Sequence, residues 1–214
     1  MSISRFELQR DFFKKYRKLI TSNYAIEVEV TNSISAVLHR YNTVVWENRF
    51  IVGGVVEQVI GASARALGID IRNAGKQNQG YDLELNDENH SGISIKAVFA
   101  STKGKHNLVN TRSTNNGGVD PSRWQSATIF VMAGVGMGYI DPEFGSNLVT
   151  STSDAIQISG KGLQMWWDHN PEWLIPIEIS NKPTGEASRV ASDAVSFDVF
   201  QDFQTLKKFW EPEI

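Results

Sequence analysis

The segment Tyr81-Asp82-Leu83-Glu84-Leu85 and the segment Gly92-Ile93-Ser94-Ile95-Lys96 hold the residues whose types and spacing suit chemistry. In an extended strand, residues i and i+2 share a face. Asp82 and Glu84 therefore point the same way, as do Ser94 and Lys96. The intervening Asn-Asp-Glu-Asn-His-Ser-Gly stretch is rich in turn formers, so the two strands can pair as an antiparallel hairpin that brings Asp82 near Lys96. Lys96 interrupts a run in which Ile93, Ile95, Ala97, Val98 and Phe99 are apolar. A lysine in such a strand needs a partner carboxylate, a substrate phosphate or a shifted pKa. Glu57 raises the same question in an apolar stretch upstream. On a helical wheel it shares a stripe with Gly53, Gly54, Gly61 and Ala64, small residues that let a helix approach a sheet and carry a carboxylate inward.

The elements that must position these groups follow from the apolar spacing. Phe50 to Leu67 is apolar nearly all round, the mark of a helix buried between layers, and Gly68 ends it. Upstream, Ser4 to Ser22 reads as an amphipathic helix burying Phe6, Phe13, Tyr16, Leu19 and Ile20, with its lysines and arginines on other faces. Ile26 to Val30 alternates weakly. Ser33 or Ser35 is the expected cap of a second helix carrying Val37, Leu38, Tyr41, Val44 and Val45. Downstream the pattern shortens to strands at Ile69–Asn73, Tyr81–Asn86 and Ile93–Ala100, with Lys105–Thr111 as a strand or extended loop. Ala127–Ala133 is a continuous apolar run of buried-strand type, and Gly138–Ile140 follows a glycine-rich turn. Ala155–Ile158 and Leu174–Ile179 are strands around a helix at Leu163–His169, and a last helix occupies about Val199–Trp210. Residues 1–214 thus read as one mixed α/β domain around a central sheet, with no repeats or linkers.

This order resembles the PD-(D/E)XK nuclease superfamily, the fold of most type II restriction endonucleases, over roughly Phe50 to Ala133. That core is a helix, three strands, a helix and a further strand. Asp82 matches the metal-binding aspartate that begins the family's second strand. Lys96 matches the lysine that ends the acid–spacer–lysine motif of the third strand. Ser94 departs from the pattern, standing where the second acid belongs. The resemblance implies a restriction-endonuclease-like fold and a catalytic set of Asp82, Lys96 and Glu57. Glu57 is similar to the helix glutamate that many members use as a metal ligand, and Glu84 is the competing substitute, giving Asp82, Glu57 and Glu84 as candidate ligands for Mg²⁺. Phosphodiester hydrolysis uses hard oxygen ligands for such an ion, which polarises the phosphate and activates water. A lysine beside the scissile phosphate stabilises developing negative charge and orients the attacking water.

Flanking Lys96 are residue types that contact nucleic acid. Lys103, Lys105, Asn107, Asn110, Arg112, Asn115 and Arg123 lie on the chain just after it, and Lys76, Gln77 and Asn78 lie in the turn before Asp82. Asn and Arg read adenine and guanine edges, while Lys and Arg also neutralise phosphate. A solvated loop is the ordinary alternative for any one of them. His39, His90, His106 and His169 show no metal-ligand spacing, the tryptophans read as core or interface anchors, and Gly134 to Gly138 reads as a tight turn.

Bulk properties restrict the class further. The chain has 214 residues, 41% hydrophobic and 21% charged, with no cysteine and a formal charge of −3. Disulfides and zinc–thiolate sites are excluded, and a reducing cytoplasm is the expected compartment. No apolar run is long enough to span a bilayer, and the first residues lack the apolar stretch of a secretory signal. The charge excludes a globally basic, histone-like binder, not an enzyme with a local basic surface. The expectation is therefore a Mg²⁺-dependent type II restriction endonuclease acting on double-stranded DNA as a homodimer. The alternatives are a structure-specific or repair nuclease of the same superfamily and a catalytically silent DNA-binding module.

Overall fold

A computed structural model of the chain describes residues 4–41, 43, 48–74, 80–87, 91–110, 119–179, 199 and 201–211. Apolar residues at helical spacing form α1 (Glu7–Thr21), which buries Phe12, Phe13, Tyr16 and Ile20. A single helix, α2 (Tyr24–Arg40), follows, capped by Asn23, whose side chain accepts from the Ile26 N–H at 3.2 Å. The expected start at Ser33 or Ser35 is thus corrected by about three turns. Ile26, Val30, Ile34, Val37 and Leu38 make one buried helical face, and the Ser33 hydroxyl donates back to the Glu29 carbonyl from inside the helix. Val44 and Val45 lie outside the described residues. The nearly uniformly apolar α3 (Asn48–Ala66) is buried along most of its length, and Gly68 ends it with φ +73°, a left-handed conformation that suits glycine.

The strands are β1 (Ile71–Asn73), β2 (Leu83–Leu85), β3 (Gly92–Val98), β4 (Lys105–Asn110), β5 (Ala127–Met132), β6 (Gly136–Ile140), β7 (Val149–Ser151), β8 (Ala155–Ser159) and β9 (Leu174–Ile175). They form a mixed six-stranded sheet in the order β1-β2-β3-β5-β6-β9 and a three-stranded sheet in the order β4-β8-β7. In the larger sheet β3 and β5 are parallel and the other neighbours antiparallel. A 3-10 turn (Pro121–Arg123) precedes β5, α4 (Pro142–Gly145) follows β6, α5 (Gly160–His169) follows β8, and α6 (Leu206–Phe209) lies near the end. The fold is α/β. The long terminal helix expected from Val199 is shorter, because the Glu29 carboxylate on α2 accepts the N–H groups of Thr205 and Leu206 and caps a new start there. The strand expected at Leu174–Ile179 ends at Ile175.

The two faces of the large sheet are covered differently. Asn73, Leu83, Ile93 and Ala127 stand side by side in register. This face meets α3: Asn73 donates to Gln58 at 2.6 Å, and a Cβ on Gly61 would collide with the Asn73 side chain. The opposite face carries Glu84 beside Gly92, Ser94 beside Thr128, and Lys96 beside Phe130. It is covered by α5, whose Trp167 packs on Phe130 and Gly138, and by the second sheet, whose His106 ring lies against Phe130. The crossover from β3 to β5 contains β4 and the 3-10 turn, with no α-helix among its described residues. No helix among the described residues is long and apolar enough to cross a membrane.

Candidate active site

A cleft of about 440 Å³ opens where the ends of β2, β3 and β5 meet β4, and Asp82, Ser94, Lys96, Asn110 and Arg123 line it. Its geometry starts from the β2–β3 hairpin. Asp82 lies one residue before β2, with its N–H donating to the Ile93 carbonyl at 3.0 Å and its carbonyl accepting from Ala74 N–H at 2.9 Å. With the backbone fixed on both sides, its carboxylate turns onto β3. Oδ2 accepts from Ile95 N–H at 2.6 Å and from the Ser94 hydroxyl at 3.2 Å. Among the described residues Oδ1 accepts no hydrogen bond. Lys96 lies two residues along the same face of β3 and is half-buried, with no ion-pair partner among the described residues.

The remaining carboxylates are placed elsewhere. Glu84 is nearly buried and forms an ion pair with Arg72 directly across β1 and β2. Its other oxygen lies 3.5 Å from the Tyr81 hydroxyl, and the Tyr81 ring covers Gly92, where a Cβ would strike it. Asp82 and Glu84 are thus two residues apart without facing a common ligand: one bonds β3, the other an arginine on β1. Glu57 sits half-buried on α3, the helix over the opposite face of the sheet. Its Oε1 folds back to 4.0 Å from where a Cβ on Gly53 would stand, and it does not line the cleft. No three His, Cys, Asp or Glu side chains among the described residues gather as a metal-binding group. Asp82 is the one carboxylate among the cleft's lining residues, which otherwise offer the neutral oxygens of Tyr81, Ser94, Asn110, Gln125, Ser126 and Thr128. Mg²⁺ is held by one or two carboxylates together with water and substrate phosphates, so Asp82, with Ser94 bonded to its Oδ2, fits an ion that arrives with its substrate better than an enclosed cage.

The expected DNA-contacting residues separate into two groups. All five described residues are exposed: Asn110 and Arg123 at the cleft, Lys105 and Asn107 along β4, and Lys103 in the turn before it, whereas Lys76, Gln77, Asn78, Arg112 and Asn115 lie outside the described residues. Arg10 and Arg17 of the basic N-terminal helix are turned into the protein: Arg10 makes a bidentate pair with the buried Asp141 at 2.7 and 3.0 Å, and Arg17 donates to the Leu174 carbonyl. The sequence reading missed Trp124, Gln125, Ser126 and Thr128 in the cleft wall. Their signal was available in the strand pattern, since a parallel partner of β3 beginning at Ala127 puts its first residues beside Ser94. A smaller cavity of about 190 Å³ at the far end of β3 is lined by Arg49, Lys105 and His106, and burial pushes the His106 imidazole below its usual pKa.

Comparison with protein-family models, with curated proteins and with solved structures gives no match.

Proposed function

We propose that the protein is a Mg²⁺-dependent type II restriction endonuclease that hydrolyses double-stranded DNA at a short specific sequence. The observation that carries this reading is the convergence of Asp82 and Lys96 on one cleft, with Ser94 bonded between strands to the aspartate. The order of a buried helix, three antiparallel strands and a further strand parallel to the third supports it. The departure is that the described residues of the β3–β5 crossover include no α-helix, and α5 with the second sheet covers that face instead.

Within this reading Asp82 is the carboxylate that would hold the metal, its Oδ2 fixed by Ile95 N–H and Ser94. Bound Mg²⁺ supplies polarisation of the phosphate and a water of lowered pKa. Lys96 places its ammonium beside the scissile phosphate, where it offsets charge that grows in the transition state and orients the attacking water. Lys105 and Arg123 neutralise neighbouring phosphates, and Asn110 faces the duplex at the cleft edge. Two copies related by a two-fold axis suit a palindromic site. A chain without cysteine suits the cytoplasm.

The single carboxylate at the cleft favours a second reading, a DNA-binding module that has lost catalysis. The deciding experiment incubates wild-type and Lys96→Ala protein with unmethylated phage DNA, with Mg²⁺ or EDTA. Discrete fragments from wild type with Mg²⁺ alone are expected, with the variant slower by roughly 10²-fold or more. Intact DNA in every lane, together with a retained gel shift, selects the silent module. Cutting confined to junctions or damaged strands selects a repair nuclease.

A further inference from the structure

We infer that the outer face of the β4–β8–β7 sheet is a base-reading surface, on which Asn107, Asn110 and Gln157 act as one preorganised amide array for adenine edges in the major groove of duplex DNA. This rests on the reading that the cleft takes DNA, and it names which bases that DNA must offer.

The array is a product of the strand register. Residues three apart on a regular strand point to opposite faces. The β4–β8 pairing shifts between Asn107 and Val109, so Asn107 opposes Gln157 while Asn110 opposes Ala155. A bulge of this kind re-aims the side chains that follow it. Here it buries Leu108 and leaves both asparagines exposed on one face. Gln157 then donates its amide to Asn107 Oδ1 at 2.9 Å, and Asn107 donates to Asn110 Oδ1 at 2.7 Å. The chain of bonds has a direction. Among the described residues it ends in an unused acceptor, Gln157 Oε1, and an unused donor, Asn110 Nδ2. Adenine presents a donor at N6 and an acceptor at N7, the pattern that Asn and Gln amides complement, and the major groove admits a β-ribbon. Amides already held by one another lose little freedom on binding.

Two further observations fix the occupant as DNA. The three strands contain no carboxylate, and Lys105 stands on the same row as Asn107, so the surface suits a polyanion. Asn110 belongs both to the array and to the cleft of Asp82 and Lys96, so a duplex seated in the cleft runs onto this face.

The test selects bound duplexes from a randomised library with full-length protein in EDTA, so that no cleavage is needed. Wild-type protein is expected to enrich at least one A·T pair. Gln157→Ala should reduce the preference at that pair by roughly tenfold or more while the other enriched positions persist. Asn107→Asp keeps the acceptor for Gln157, cannot donate to Asn110, and should reduce the same preference. A·T enrichment unchanged in both variants, or duplex binding by wild type with no preferred A·T pair, overturns the array and leaves the nuclease reading standing. Absence of duplex binding, with no cutting in Mg²⁺, removes both.

Discussion

Asp82 Oδ2 is occupied by the Ile95 N–H and the Ser94 hydroxyl, so Ser94 supports the aspartate rather than facing it as a second ligand. Exchanging that serine for an acid inverts the interaction. In Ser94→Glu two carboxylates share one site, and like charges at close range oppose their joint ionisation. The variant should melt several degrees below wild type in EDTA, about 2–4 °C for each kcal/mol in a chain of this size. Mg²⁺ should restore that loss, because an ion that binds only the folded state stabilises it by mass action. Thermal melting with and without Mg²⁺ checks this. A variant destabilised equally in both conditions would show that the cleft does not hold a cation on protein ligands alone. Asp82 and Lys96 were legible in the sequence because strand alternation and a polar interruption of an apolar run need no tertiary information. The fates of Glu57 and Glu84 were not. Glu84 meets Arg72 through the β1–β2 register, and Glu57 depends on which face of the sheet α3 covers, a choice that helical periodicity does not make.

At the scale of elements, strongly patterned segments read well and locally ambiguous ones were decided by packing. Ala127–Met132 is a central strand buried at every position, as its unbroken apolar run requires. The weak alternation at Ile26–Val30 became helix because the same residues complete a longer buried face of α2. The glycine-rich segment after β5 serves two purposes that sequence alone does not separate. Gly134 and Gly136 adopt positive φ of 67° and 116° at the turn, whereas Gly138 lies within β6 directly under the Trp167 ring. That ring is anchored by its Nε1 donating to the Tyr139 carbonyl at 2.8 Å. Gly138→Ala therefore forces α5 away from the sheet, or its indole out of a preferred rotamer, at a cost of about 1–3 kcal/mol. A fall in Tm of several degrees is expected by calorimetry. Adding Trp167→Phe should return part of it, since contacting sites couple. A single variant that melts with the wild type would mean that α5 is not fixed against β6 by this contact.

The whole molecule carries a net charge of −3, so in the proposed reading attraction to DNA rests on a local set of cations and not on the overall charge. The assembly of the second sheet over the Lys96 face had no local signal. The β4–β8 pairing joins residues about fifty positions apart, and only that pairing brings Asn110 to the cleft wall. Its consequence is measurable as a salt dependence. Lys96, Lys103, Lys105 and Arg123 among the described residues, with Lys76 and Arg112 from the sequence reading, are the proposed phosphate-neutralising cations. Each neutralised phosphate contributes about −0.9 to the slope of log K against log salt. One chain on a duplex then gives a slope no steeper than about −5, and two chains on a palindrome reach about −10. Titration of a cognate duplex across salt concentrations, with stoichiometry from sedimentation, is expected to give the steeper value and two chains per duplex. A slope near −5 with one chain bound would rule out the symmetric dimer. The cut would then fall to a single Asp82–Lys96 site, nicking one strand at a time. A steep slope that Lys105→Ala and Arg123→Ala together leave unchanged would place the DNA on another face of the protein.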